Sequence, residues 1–181
     1  MPFHTNGQEK HVHRFYKSGL PQKMPPDEVL QDMYRVTMVR EPVKRFLSAY
    51  SNRVLYHKEL SVEKVGKNLA ALGLEPDPDV HLFIARLGAY KQTSQSIRGH
   101  TRPMAAFLGE DPGLYDRIYC ISEIETFRQD IAQRVNMDIE MPHKQAEGPK
   151  IDASALSTAE IEKIRSLYSK DYELFGDFLR D

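Results

Sequence analysis

The sequence holds one cysteine, no tryptophan and no long apolar run. A single thiol, Cys120, excludes an internal disulfide framework and any metal site built from several cysteines. No stretch approaches the ~18–20 apolar residues that span a bilayer, which argues against an integral membrane protein. Met1 to Lys10 is polar and lacks a signal-peptide core, so a cytoplasmic protein is expected. No G-x-x-x-x-G-K-[ST] run occurs, which disfavours a nucleotide kinase or other P-loop enzyme. Net charge is lacking too: 25 Lys and Arg meet 26 Asp and Glu, a formal −1. Domains that bind nucleic acid are usually basic overall, so no nucleic-acid partner is expected.

What is present is enough for a folded core. A chain of 181 residues, 40% hydrophobic and 28% charged, fits one domain without staples. Its charge is uneven. Between Tyr34 and Lys58 six bases face one acid (Arg35, Arg40, Lys44, Arg45, Arg53 and Lys58 against Glu41). From Asp152 to Asp181 seven acids face four bases. A local basic zone on a neutral protein suits a small anionic ligand, or else a solvated helix face.

Residues 1–33 read as an irregular arm punctuated by Gly and Pro, with a short strand pattern from His11 to Tyr16, and residues 34–181 as the core. Arg35 to Val39 is a short β-branched strand. Pro42 suits the first position of a helix that the apolar stripe Phe46, Leu47, Tyr50 and Val54 carries to about Tyr56. Helices are predicted from Ser61 to Leu72 and from Val80 to Leu87, a polar loop from Lys91 to Pro103, and a short packed turn from Met104 to Leu108. A second strand, Arg117 to Ile121, leads into a helix from Glu123 to Val135 with Ile124, Phe127, Ile131 and Val135 on one face. Ser157 and Glu160 form a capping box for a helix to about Ser169, and a last short helix starts at Asp171. Two strands each running into a helix predict a helix-rich α/β domain with a small parallel sheet. Cys120, inside an apolar strand, reads as a small buried hydrophobe.

The informative segment is Val39-Arg-Glu-Pro-Val-Lys-Arg-Phe-Leu-Ser-Ala-Tyr50. In an open α/β sheet, ligands bind beyond the carboxyl ends of strands, which is where Arg40 falls. Its guanidinium offers a rigid fork for a phosphate, Ser48 a second donor, and the helix N-terminus between them a favourable dipole. On the residues alone, Arg40 reads equally well as a strand-end salt-bridge partner and Ser48 as a small packing residue.

This segment resembles the Arg-Asp-Pro-x-x-Arg-x-x-Ser-x-Tyr motif of sulfotransferases that act on carbohydrates and related acceptors, with Glu41 in place of Asp. His100-Thr-Arg-Pro-Met, Asp116-Arg-Ile-Tyr-Cys-Ile-Ser-Glu and Asp171-Tyr-Glu-Leu-Phe resemble later elements of that family in the same order. The resemblance implies a P-loop-like fold and 3′-phosphoadenosine 5′-phosphosulfate (PAPS) as donor, with no metal. It implies that Arg40 and Ser48, with Arg45 beside them, hold the donor's 3′-phosphate. It places His100 and Arg102, and more distantly Lys144 and Gln145, on the side of donor or acceptor anions. A histidine upstream of the motif is expected as the base that deprotonates the acceptor hydroxyl, His13 ahead of His11. His11-Val-His13 as a metal site lacks supporting carboxylate or Cys ligands.

The family's 5′-phosphosulfate loop, Pro-Lys-x-Gly-x-Thr/Ser, does not precede Arg40 at its usual distance, and Lys17-Ser-Gly19 lies too close to serve. The chain therefore reads as a sulfotransferase domain without its first β-loop-α unit. The alternative function is a non-catalytic module of the same fold that binds a nucleotide or partner without turnover. A missing unit would expose apolar surface and favour homo-oligomers.

Overall fold

A computed structural model describes residues 3–5, 8–10, 31–141 and 147–180. Two compact units are distinguished, residues 1–35 and 36–181. In the first, β1 (Phe3–Thr5) and β2 (Gln8–Lys10) form an antiparallel hairpin with Phe3 opposite Lys10. Three-residue strands are too short to carry a readable alternation, so the reading of an irregular arm with a strand pattern only at His11 to Tyr16 did not place this pair. The better signal was the Asn6-Gly7 dipeptide between them, a pair favoured in tight hairpins. The strand pattern expected at His11 to Tyr16 lies outside the described residues.

The second unit is helical around a small sheet. β3 (Val36–Val39) and β4 (Arg117–Cys120) pair in parallel, with Thr37 opposite Ile118 and Val39 opposite Cys120. Helix α1 (Pro42–Tyr50) starts as read: Pro42 needs no N–H partner, and Glu41 caps the end by accepting from the Lys44 N–H at 2.8 Å. Its Val43, Phe46, Leu47 and Tyr50 are buried. The chain stays helical to Tyr56 but widens into a π-helix over Ser51–Tyr56.

Helix α2 spans Val62–Ala71, and Gly73 then adopts φ +58° to turn the chain. Helix α3 spans Val80–Thr93, capped by Asp79 on the Leu82 N–H at 2.7 Å. The polar loop expected from Lys91 to Pro103 is corrected by the structure: α3 continues through Thr93, and α4 (Gln95–His100) follows with Ser94 as its cap. The helix was hidden because its polar residues surround one buried anchor, Ile97. Helix α5 is Ala105–Leu108. After β4, helix α6 (Ile124–Val135) has no buried residue, and the expected apolar face leaves Ile124 and Val135 exposed. Helix α7 (Thr158–Leu167) carries the capping box of Ser157 and Glu160, and α8 (Ser169–Phe175) runs into a final 3-10 turn, Gly176–Phe178.

Two cores follow from this order. The larger lies among α1, the π-helix, α3 and α7, where the rings of Phe46, Tyr50 and Tyr90 each pack against Phe83 with centroids 5.2–5.8 Å apart. The smaller joins the sheet to α8 through Val39, Met104, Ile118 and Phe175. Cys120 is fully buried, as its apolar strand implied. Among the described residues no helix is long and apolar enough to cross a membrane.

Candidate functional site

Arg40 follows the last residue of β3 and is half-buried. Among the described residues no hydrogen bond or ion pair engages its guanidinium, so the salt-bridge reading finds no partner there. Glu41, next to it, does two jobs. One oxygen caps α1, and the other accepts a short hydrogen bond from the Tyr172 hydroxyl of α8. Burial, then the adjacent Glu41 carboxylate, raises the Tyr172 hydroxyl well above the usual phenol range, so it remains a donor. The acid that replaces Asp in the motif is thus both a cap and a tie to the far end of the chain.

Arg45 and Ser48 are three residues apart on α1 and share a face. Ser48 is exposed, and Arg45 is half-buried with its Nη1 donating to the Arg102 carbonyl at 2.6 Å. Tyr50 uses its hydroxyl structurally, donating to the Pro78 carbonyl at 2.9 Å.

The turn after α4 is fastened from beneath. Tyr168 donates to the Thr101 carbonyl at 3.0 Å. The fully buried Asp171 accepts from the N–H groups of Met104 and Ala105, both at 2.8 Å. This caps α5 and fixes the His100-to-Met104 segment against α8. Three stretches that the sequence suggested separately therefore meet: the α1 motif, the His100 segment and the Asp171 helix.

Above that turn lies an open cleft of about 550 Å³, lined by Arg45, Gln95, Ser96, Gly99, His100 and Phe107. Arg102 lies against its wall, with the guanidinium carbon 5.0 Å from the Phe107 ring centre. His100 is exposed on the open side, yet the surrounding protein desolvates it, and the charges of Arg53 and Arg45 act in the same direction. Its imidazole is held below the ordinary histidine value, against a smaller opposing effect from Glu59.

Arg53 is a residue that sequence reasoning passed over. On an ideal α-helix it would sit about 80° round from Arg45. The wider π-turn at Ser51–Tyr56 adds residues per turn, bringing Arg53 back toward Arg45's side, and both charges act on His100. The same π-helix holds a loop. Ser51 Oγ donates to the Pro149 carbonyl at 2.5 Å and Asn52 Nδ2 to the Glu147 carbonyl at 3.3 Å. His11, His13, Lys17, Lys144 and Gln145 lie outside the described residues. Among the described residues no group of His, Cys, Asp and Glu gathers in a way that would hold a metal ion.

The sequence model of the sulfotransferase family matches residues 3–178. This chain belongs to the sulfotransferase family. The helix-rich α/β fold with its small parallel sheet agrees with that membership. The chain has no significant match among curated proteins or solved structures. Family membership assigns transfer of a sulfuryl group as the general chemistry, and so a donor and an acceptor as substrates.

Proposed function

We propose that the chain transfers a sulfuryl group from PAPS to a hydroxyl of a carbohydrate or related small acceptor. The observation that carries this reading is Arg40: a guanidinium at the carboxyl end of β3, without a partner among the described residues, in a segment that resembles the family's motif. Such a group is available to fork onto a phosphate. Ser48, exposed on α1, supplies a hydroxyl for the same phosphate, and the capped N-terminus of α1 adds a favourable dipole. Arg45 orients this face by its bond to the Arg102 carbonyl, while His100, Arg102, Lys144 and Gln145 are assigned to the substrate side.

When bound, the donor supplies an activated sulfuryl group. The bond from sulfur to the acceptor oxygen forms as the bond from sulfur to the leaving phosphate oxygen breaks, and the hydroxyl proton must leave with it. His13, with His11 as the alternative, is the proposed proton acceptor. Substituting His13→Gln should lower kcat by roughly 10²–10⁴-fold if that imidazole is the base. The binding half of the reading is tested by calorimetry with adenosine 3′,5′-bisphosphate. Arg40→Ala should cut its affinity by about tenfold or more, and unchanged affinity would remove Arg40 from the donor site. Binding without turnover would favour the non-catalytic module instead.

A further inference from the structure

The cleft between α1 and α4 holds more positive charge than its surroundings use. Arg45 commits one N–H to the Arg102 carbonyl. Neither Arg45 nor Arg53 forms an ion pair among the described residues, and the buried Arg53 Nε has no acceptor there. His100 is acted on by Arg45 from α1, by Arg53 from the π-helix and by His57 at its end. Arg102, in the following turn, lies over the Phe107 ring that lines the cleft. The acid acting on His100, Glu59, is itself 3.5 Å from Lys64.

Unbalanced cations beside a partly desolvated imidazole make its protonated form costly. Seating an oxyanion among them reverses that balance, because an opposite charge at hydrogen-bond range favours the imidazolium. Gln95 and Ser96 offer neutral partners for hydroxyls beside the anion, and Phe107 offers an apolar wall.

We propose that this cleft seats an anionic group of the acceptor, a carboxylate or a sulfate ester, and that its binding carries one proton onto His100. The assignment to the acceptor rests on the reading that the donor's 3′-phosphate belongs to Arg40 and Ser48. The sign follows from linkage: the bound state holds the extra proton, so affinity rises as pH falls. One proton limits the rise to about tenfold per pH unit, between the free and bound titration midpoints of His100.

The test is an imidazole NMR titration of the full chain with inorganic sulfate, which stays dianionic over this range, against chloride at equal ionic strength. The His100→Gln spectrum identifies the signal. Sulfate should move the His100 midpoint upward beyond the chloride control. Sulfate affinity should rise with falling pH in the parent chain and lose most of that slope in His100→Gln. Arg53→Gln should weaken sulfate several-fold. Identical titration of His100 in sulfate and chloride overturns the proposal, and this parent-chain measurement needs no variant to fold.

A second arm separates the sources. Glucuronate added to protein saturated with adenosine 3′,5′-bisphosphate should still shift His100. If the bisphosphate alone moves His100 and blocks sulfate, the cleft belongs to the donor, and the acceptor assignment falls. Failure of the bisphosphate to bind at all would refute the donor reading, and with it the acceptor assignment, leaving the sulfate result to judge the anion site alone.

Discussion

Asp171 concentrates several jobs in one carboxylate. It is fully buried and accepts from two backbone N–H groups, Met104 and Ala105, that would otherwise lack partners at the start of α5. Hydrogen bonds to a charged group are worth about 1.5–3 kcal/mol each, and stranding two buried donors adds to the loss. Asp171→Ala should therefore destabilise the fold by about 3–5 kcal/mol, measured by urea unfolding. Asp171→Asn keeps one acceptor oxygen and should lose less. A loss below about 1 kcal/mol for the alanine variant would show that the turn is held by other contacts. Because the same turn carries His100 and Arg102, the anion response of His100 should weaken in either variant before global unfolding.

At the scale of elements, the π-helix does what a regular α1 extension could not. It carries Arg53, whose charge acts on His100, while Ser51 and Asn52 bond the chain at 147–149. The fit there is tight. Gly148 has φ +106°, and a Cβ on it would lie 2.6 Å from Ser51 Oγ and 2.9 Å from the Ser51 carbonyl oxygen. Gly148→Ala faces both an unfavourable backbone conformation and a clash, so it should detach this loop at a cost of about 1–3 kcal/mol. Hydrogen exchange would detect it as faster exchange at residues 147–150 with the core unchanged. Unaltered protection would mean that the loop accommodates a side chain.

For the molecule as a whole, pH acts on stability through the pair His81 and Glu160, which joins α3 to α7 with Nδ1 and Oε1 2.8 Å apart. The Glu160 carboxyl is lowered to about 2, first by the Ser157 hydroxyl and its backbone N–H, then by His81. That contribution is present above the ordinary carboxylate value and is lost as pH falls toward 2. His81 is raised by Glu160, so its contribution is complete below the ordinary histidine value and fades as pH rises through the elevated one. His100, held low, acts in the opposite direction over the same range, so the pair is isolated by the difference in Tm between the parent and His81→Asn, which should shrink from pH 6 to pH 8. Both groups are exposed enough that added salt should shrink the effect. A Tm difference between parent and His81→Asn that does not change with pH or salt over this range would show that the pair contributes nothing to the pH dependence of stability.

Much of the fold was legible along the chain because its causes are local. Pro42 at the start of α1, the Ser157 and Glu160 box and Gly73 after α2 each act within a few residues, and sequence reading placed them. The resemblance around Arg40 also pointed to the family that the match over residues 3–178 shows. Short elements escaped it: β1 and β2 are too brief for periodicity, and α4 hides one apolar anchor among polar neighbours. The site's shape was decided elsewhere. The bonds that assemble it join residues 57, 67 and 131 positions apart: Arg45 to Arg102, Asp171 to Met104 and Tyr172 to Glu41. No local propensity reports such partners. They meet because the two cores stack α1, the His100 turn and α8 together, and only that packing turns scattered arginines and one histidine into a single charged cleft.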